Sequence, residues 1–246
     1  MSVNKLLYIF IATLALVSCS NDKAGCFSGM GEHSVSSIDM PGNIDNIKAE
    51  GRFHVHFIQD SLNFIEVSGG ENVIAGIQCS FDNNTLQIAD NNSCNWVRRL
   101  DQVPVVTVHY TTLHYFEAAN YYDNLFLKPH TGDTLLMEYW TGSGKTTFNG
   151  HVDRAYFKVN AGSGNFTCSG SAAYCYVYHS GGGRIDCSDF ESSDVFAVTQ
   201  SNNEVRVHAV VSLLGDIRRT GNIYYAGNPV QVQRTGLGSG EMIHGE

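Results

Sequence analysis

Met137-Glu138-Tyr139-Trp140-Thr141-Gly142-Ser143-Gly144-Lys145-Thr146-Thr147-Phe148 is the stretch that decides the fold, because it recurs. Comparable segments follow about every 20 residues around Gly162-Ser163-Gly164, Gly181-Gly182-Gly183 and Asn202-Asn203. Aligned on Gly144, Gly164, Gly183 and Asn203, the positions two and four after the anchor read Thr146, Phe166, Ile185, Val205 and then Phe148, Cys168, Cys187, Val207. The positions seven and five before it read Met137, Phe157, Tyr176, Phe196 and then Tyr139, Val159, Tyr178, Val198. Polar residues separate these columns, so both flanks of each glycine corner alternate with period two, the signature of short strands with one buried face.

Self-similarity at this period predicts an all-β, right-handed parallel β-helix with rungs of about 20 residues. A lone rung buries too few side chains to offset the ordering of its backbone, so stability has to come from stacking rung on rung. The corners call for positive φ, which glycine adopts freely, and Asn202-Asn203 are the best non-glycine occupants of such a place. Leu125-Phe126 reads as part of a preceding rung, Ile223-Tyr224-Tyr225 as part of a following one, and Gly236 to Gly240 as a truncated last copy.

The N-terminal half is strand-rich but less regular. Phe53, Val55 and Phe57 alternate with His54 and His56; Phe64 to Val67 runs into Gly69-Gly70; Ile77 to Phe81 and Leu86 to Ile88 flank a hairpin turn at Asp82-Asn83-Asn84. Val103 to Tyr110 is a further strand. Residues 37–246 form the head, readable as two merged halves of about 37–112 and 113–246.

At the N-terminus, an apolar run from Leu6 to Val17 follows Lys5 and ends in Leu16-Val17-Ser18-Cys19. Residues 1–18 read as a lipoprotein signal peptide, too short for a membrane span. Cys19 is then the lipidated residue, 19–36 a flexible tether, and the outer membrane the destination, on its periplasmic or cell-surface side. The formal net charge of −9 leaves no basic footprint for nucleic acid.

Six cysteines remain after Cys19. Cys168 and Cys187 fall in one column of adjacent rungs, close enough for a disulfide, or else stack as buried thiols. Gly144-Lys145-Thr146 echoes a phosphate loop without its earlier glycine or its helix, His54 and His56 read as a surface pair, and no cofactor or metal is expected. Glu138 with Lys158, Asp186 with Arg206 and Arg184 with Glu204 read as cross-rung ion pairs, not as the carboxylate cluster of a glycan-cleaving enzyme.

Trp140, Asn160 and His179 line one outward column with Thr199, and Tyr121 and Tyr122 occupy the rung before, which makes these five the candidate ligand surface. Flat aromatic faces beside Asn and His side chains can hold a sugar ring. Tyr139, Tyr176 and Tyr178 read as core.

The lipobox, the Gly70-Glu71-Asn72-Val73 step, the Asp82-Asn83-Asn84-Thr85-Leu86 hairpin, the Gly-Ser-Gly rungs and the segment Gly221 to Pro229 together resemble the auto-transporter adhesin head GIN domain family of Bacteroidetes. The resemblance covers roughly residue 40 onward. It implies a β-helical cell-envelope protein with an adhesive or ligand-binding role and brings no catalytic residues. The expected function is therefore a lipid-anchored, non-enzymatic adhesin or module for a glycan or cell-surface ligand. The alternatives are a carbohydrate-active enzyme and a structural envelope component without small ligand.

Overall fold

A computed structural model describes residues 29–42, 44–93 and 102–245; Cys19, the signal peptide, most of the tether, Cys26 and Cys94 lie outside the described residues. The repeated stretch forms a parallel β-solenoid of about six turns, about 20 residues apart. Three 15-residue strands, β11 (Lys145–Val159), β12 (Asn165–His179) and β13 (Ile185–Thr199), followed by β14 (Val205–Ile217), each run from one glycine corner to the next. Each bends near its middle, so its first part lies on one face of the solenoid and its second part on another. The first part follows a corner and the second approaches the next, giving every rung two arms.

The earlier strands stack out of chain order. β2 (Asn46–Gly51) and β3 (His54–Gln59) form one rung, and β8 (Tyr115–Asn120) and β9 (Asn124–Phe126) form the next. β6 (Thr85–Asp90) and β7 (Val105–Tyr110) return beneath the first as a parallel rung. Antiparallel strands close that end: β5 (Ile77–Asp82) pairs with β6, while β4 (Phe64–Gly70) lies between β7 and β1 (His33–Asp39). The hairpin at Asn83-Asn84 adopts positive φ at both residues, as its two-residue loop requires. A one-turn helix, α1 (Glu71–Ile74), follows β4. The far end carries β10's distant successors β15 (Ile223–Ala226), β16 (Gln231–Thr235) and β17 (Met242–His244), where β10 (His130–Tyr139) is the strand joining β8 to β11.

On the arm after the corner, the expected columns hold: Thr146, Phe166, Ile185 and Val205 are buried, as are Phe148, Cys168, Cys187 and Val207. On the arm before it, they hold only as far as β11. Tyr139 pairs with Val159, Val159 with His179 and His179 with Thr199. The inward columns are therefore Met137, Phe157, Val177, Ala197 and Tyr139, Val159, His179, Thr199, while Tyr176, Tyr178 and Phe196 point outward. The Gly181-Gly182-Gly183 corner is one residue shorter than Gly162-Ser163-Gly164. Anchoring on the last glycine passes that one-residue slip to the whole preceding strand, and with a side-chain period of two a slip of one reverses every side chain.

The corners differ from expectation in one further way. Gly142 and Gly162 have φ of +82° and +72°, but Asn203 needs no such conformation. Its side-chain amide donates to the carbonyls of Gly182 and Gly183 at 2.8 and 3.0 Å, clamping one corner to the one below.

Inside, Phe57 stacks on Phe126 at 4.5 Å between ring centres, Phe126 meets Phe148 edge-on at 5.0 Å, and Phe148 packs against Phe157 at 5.7 Å. Cys168, Cys175 and Cys187 are buried free thiols. Cys187 is in hydrogen-bond contact with both of the others, so the expected neighbours are adjacent but unbridged, with a third thiol beside them that the misplaced register had hidden.

Candidate functional site

The outward side of the arm before the corner carries a column two of whose members, Tyr176 and Phe196, sequence reasoning assigned to the core. Tyr115 pairs with Leu136, Leu136 with Tyr156, Tyr156 with Tyr176, Tyr176 with Phe196 and Phe196 with Leu214. All six are half-buried, each covering its neighbours along the solenoid. Tyr176 meets Phe196 at 5.4 Å and Tyr156 at 6.1 Å, and Tyr174, one column over, meets Tyr156 at 6.1 Å. Tyr178 stands in the column on the other side, next to Lys158. The rung spacing of about 4.8 Å thus makes an apolar strip in which Tyr156, Tyr176 and Phe196 are successive rings, with Leu136 between them and Tyr115. Arg154 and Asp194 border it on one side, Lys158 and Asp216 on the other.

Glu138 organises the edge of this strip. Its carboxylate is only 8% exposed and lies 2.8 Å from the Tyr115 hydroxyl and 2.9 Å from the Asn160 side-chain amide, with the Trp140 indole N–H also donating to it. Burial pushes the Glu138 carboxyl up, but the bonds from Trp140, Tyr115 and Asn160, with Lys158 nearby, win and hold it below its ordinary range. Burial, then the bonds to Glu138 and Glu117, drive the Tyr115 hydroxyl the other way, so it stays a donor. Trp140 is 52% exposed, fixed at one end by Glu138 and open on its ring face. The expected Glu138–Lys158 ion pair is replaced by this cluster. Likewise Asp186 bonds Ser188, and Arg206 turns to Glu204 at 3.1 Å and lies over the Tyr224 ring.

Of the five residues expected to form one surface, the structure brings Trp140 and Asn160 together through Glu138. His179 is not among them. It is fully buried, in line with Tyr139 and Val159, and neither ring nitrogen has a hydrogen-bond partner of good geometry. Burial lowers its pKa. Thr199 follows it inward.

Tyr121 and Tyr122 form the corner after β8, where they line, with Arg52, a cavity of about 600 Å³. A buried polar ladder fixes this corner. The Asn120 amide donates to the Tyr122 carbonyl at 2.8 Å and to Asn124 Oδ1 at 2.9 Å, with the Phe53 carbonyl at 3.1 Å; Asn124 continues to Thr146 and the Tyr139 hydroxyl. Tyr139 is thus core as expected, its hydroxyl partnered.

Residues 43–229 match the family model described as "Putative auto-transporter adhesin, head GIN domain". The chain belongs to this family. Two crystal structures described as "putative adhesin" share the GIN-domain fold seen here. That from Bacteroides fragilis is 20% identical, with a TM-score of 0.76 over 87% of this chain and 97% of its own. That from Parabacteroides merdae is 18% identical, with a TM-score of 0.61 over 89% and 98%. A "putative lipid binding protein" from Parabacteroides distasonis is 20% identical, with a TM-score of 0.63 over 89% and 98%. No curated protein matches the chain.

The sequence missed Tyr115, Tyr156 and Tyr174 as surface residues, placed Tyr176, Tyr178 and Phe196 inside, and set Glu138 outward only as an ion-pair partner of Lys158. One signal for the face was present: Tyr156, Tyr176 and Phe196 are spaced by 20 residues each, as are the bend glycines Gly150 and Gly170. Counting from the bend instead of the corner restores the register.

Proposed function

We propose that this GIN-domain protein is a non-enzymatic adhesin of the cell envelope, held to the outer membrane through a lipid on Cys19, whose binding surface is the outward aromatic strip. The observation that carries this reading is the unbroken outward ladder Tyr115, Leu136, Tyr156, Tyr176, Phe196. Rings repeating along the axis suit a ligand that itself repeats, and the faces of sugar rings, with their polarised C–H bonds, complement the negative faces of Tyr and Trp. Hydroxyls along the strip, and Lys158, Arg154 and Asp194 at its borders, provide hydrogen bonds to sugar oxygens. Membership in an adhesin family points the same way.

A glycan array with purified protein tests this. Binding to polysaccharide that is lost in Tyr156→Ser/Tyr176→Ser and weakened in Trp140→Ala, with melting temperature retained, is expected. Binding to phospholipid vesicles with no glycan bound would replace this reading with lipid recognition. Loss of metabolic palmitate labelling in Cys19→Ala checks the anchor.

A further inference from the structure

The corner cavity sets a cation into a recess, whereas Arg154 and Lys158 only border the aromatic strip. Arg206 and Arg218 each fold back onto the carboxylate two residues earlier, Glu204 at 3.1 Å and Asp216 at 2.8 Å. Arg52 has Glu50 at the same spacing yet makes no ion pair with it among the described residues. Between them Gly51 sits at φ +129°, and a side chain there would collide with Asp90. Arg52 lines the cavity with Tyr121 and Tyr122 instead. Arg52 is half-buried and has no ion pair among the described residues, and a partly desolvated cation of this kind is an arrangement that an anion completes.

The walls are preset. Tyr122 rests against His54 at 5.2 Å between ring centres, its carbonyl is held by Asn120, and Tyr121 is 58% exposed at the mouth. Of the acidic groups nearby, Asp123 faces the Lys145 backbone amide on the next rung and Asp90, beside Gly51, accepts from the Asn92 side chain. The volume falls in the range of small-molecule sites and exceeds what one carboxylate needs, leaving room for a ring between the tyrosines. β8 presents Tyr115, Glu117 and Ala119 outward before reaching Tyr121, so the cavity lies about 20 Å along the same strand from the aromatic strip, within reach of one polymer chain.

We propose that this corner is a subsite for an acidic sugar residue of the bound polysaccharide, Arg52 taking the carboxylate in its planar fork while Tyr121 and Tyr122 flank the ring. The claim rests on the polysaccharide reading above and names its class: uronic-acid-bearing chains. The protein's overall negative charge repels anionic polymers elsewhere, so selectivity for them has to be local.

The test compares polygalacturonate with neutral dextran by surface plasmon resonance on the full chain. Wild type is expected to prefer polygalacturonate by tenfold or more, with the preference falling as salt rises. Arg52→Gln is expected to abolish it, and Arg52→Lys, which keeps the charge but not the fork, to keep only part. Tyr156→Ser/Tyr176→Ser should weaken both polymers alike and preserve their ratio. Equal binding of the two polymers by wild type, a preference surviving Arg52→Gln, or dextran sulfate bound as well as polygalacturonate would each overturn the proposal. If neither polymer binds, the polysaccharide reading fails, and an NMR titration with free galacturonate then decides the subsite. Shifts at the Arg52 side chain that vanish in Arg52→Gln uphold an anion site, and their absence overturns it. Matching melting curves for the Arg52 variants exclude misfolding as the cause.

Discussion

Two aromatic ladders climb this solenoid, one inside and one outside, and their residue types barely differ. Phe57, Phe126, Phe148 and Phe157 fill the interior; Tyr115, Tyr156, Tyr176 and Phe196 line the outer face of the arm that approaches each corner. The inner rings are fully buried and contact one another across opposing faces as well as along the stack. Among the described residues, the ring contacts of Tyr156, Tyr176 and Phe196 all lie on their own face, and Tyr115 meets Lys48 and the carboxylates of Glu117 and Glu138. Position relative to the sheet, not composition, separates the buried aromatics from the outward ones.

Substitutions should separate the two ladders sharply. Phe148→Ala removes a ring that touches Phe126, Phe157 and Phe190 and should cost about 3 to 5 kcal/mol of unfolding free energy in urea titration. A loss below about 1 kcal/mol would mean the interior stack is not the source of stability.

Acid should next expose the polar groups set into the interior. Burial, helped by His114, lowers the His130 pKa from 6.5 to about 4, and burial lowers His179 in the same direction. The folded state therefore binds fewer protons than the unfolded chain. The associated stability is intact above pH 6.5 and is lost as pH falls toward 4, on the order of 3 kcal/mol for His130. Urea midpoints at pH 7 and pH 4.5 measure it; His130→Phe should flatten the dependence.

On the outer ladder, Tyr156→Ser/Tyr176→Ser should lower glycan affinity by about tenfold per ring while costing less stability than Phe148→Ala. The reverse pattern would exchange the roles of the two ladders. The smallest effect belongs to Glu138→Gln, which keeps the shape but weakens the bonds from Trp140, Tyr115 and Asn160. It should loosen Trp140, read as a shift in its fluorescence in a Trp96→Phe background. In the parent that signal should hold above pH 4.5 and change as Glu138 is protonated below it, since its folded pKa is depressed.

Most of the architecture was legible in the chain. The rung period, the columns after the corner, the hairpin at Asn83-Asn84 and the strand at Phe53 to Phe57 follow from alternation and turn chemistry. The out-of-order return of β6 and β7 beneath β2 and β3 was not, because parallel pairing between distant segments leaves no local mark. The outer ladder was hidden for another reason. Both phases of Tyr176-Val177-Tyr178-His179 are apolar enough to be core, so alternation alone cannot choose, and only the length of the Gly181-Gly182-Gly183 corner decides. Arg52 was invisible as a site residue, since its partners Tyr121 and Tyr122 lie on a rung reached some 70 residues later.

The outward register of the aromatic strip is the claim on which these readings depend, and thiol labelling of native protein tests it directly. With the label mapped by mass spectrometry, Phe196→Cys should be modified readily and protected by bound glycan, while Ala197→Cys should be modified only after unfolding. Rapid labelling at 197 with protection at 196 would place the aromatic strip inside the solenoid and contradict the account.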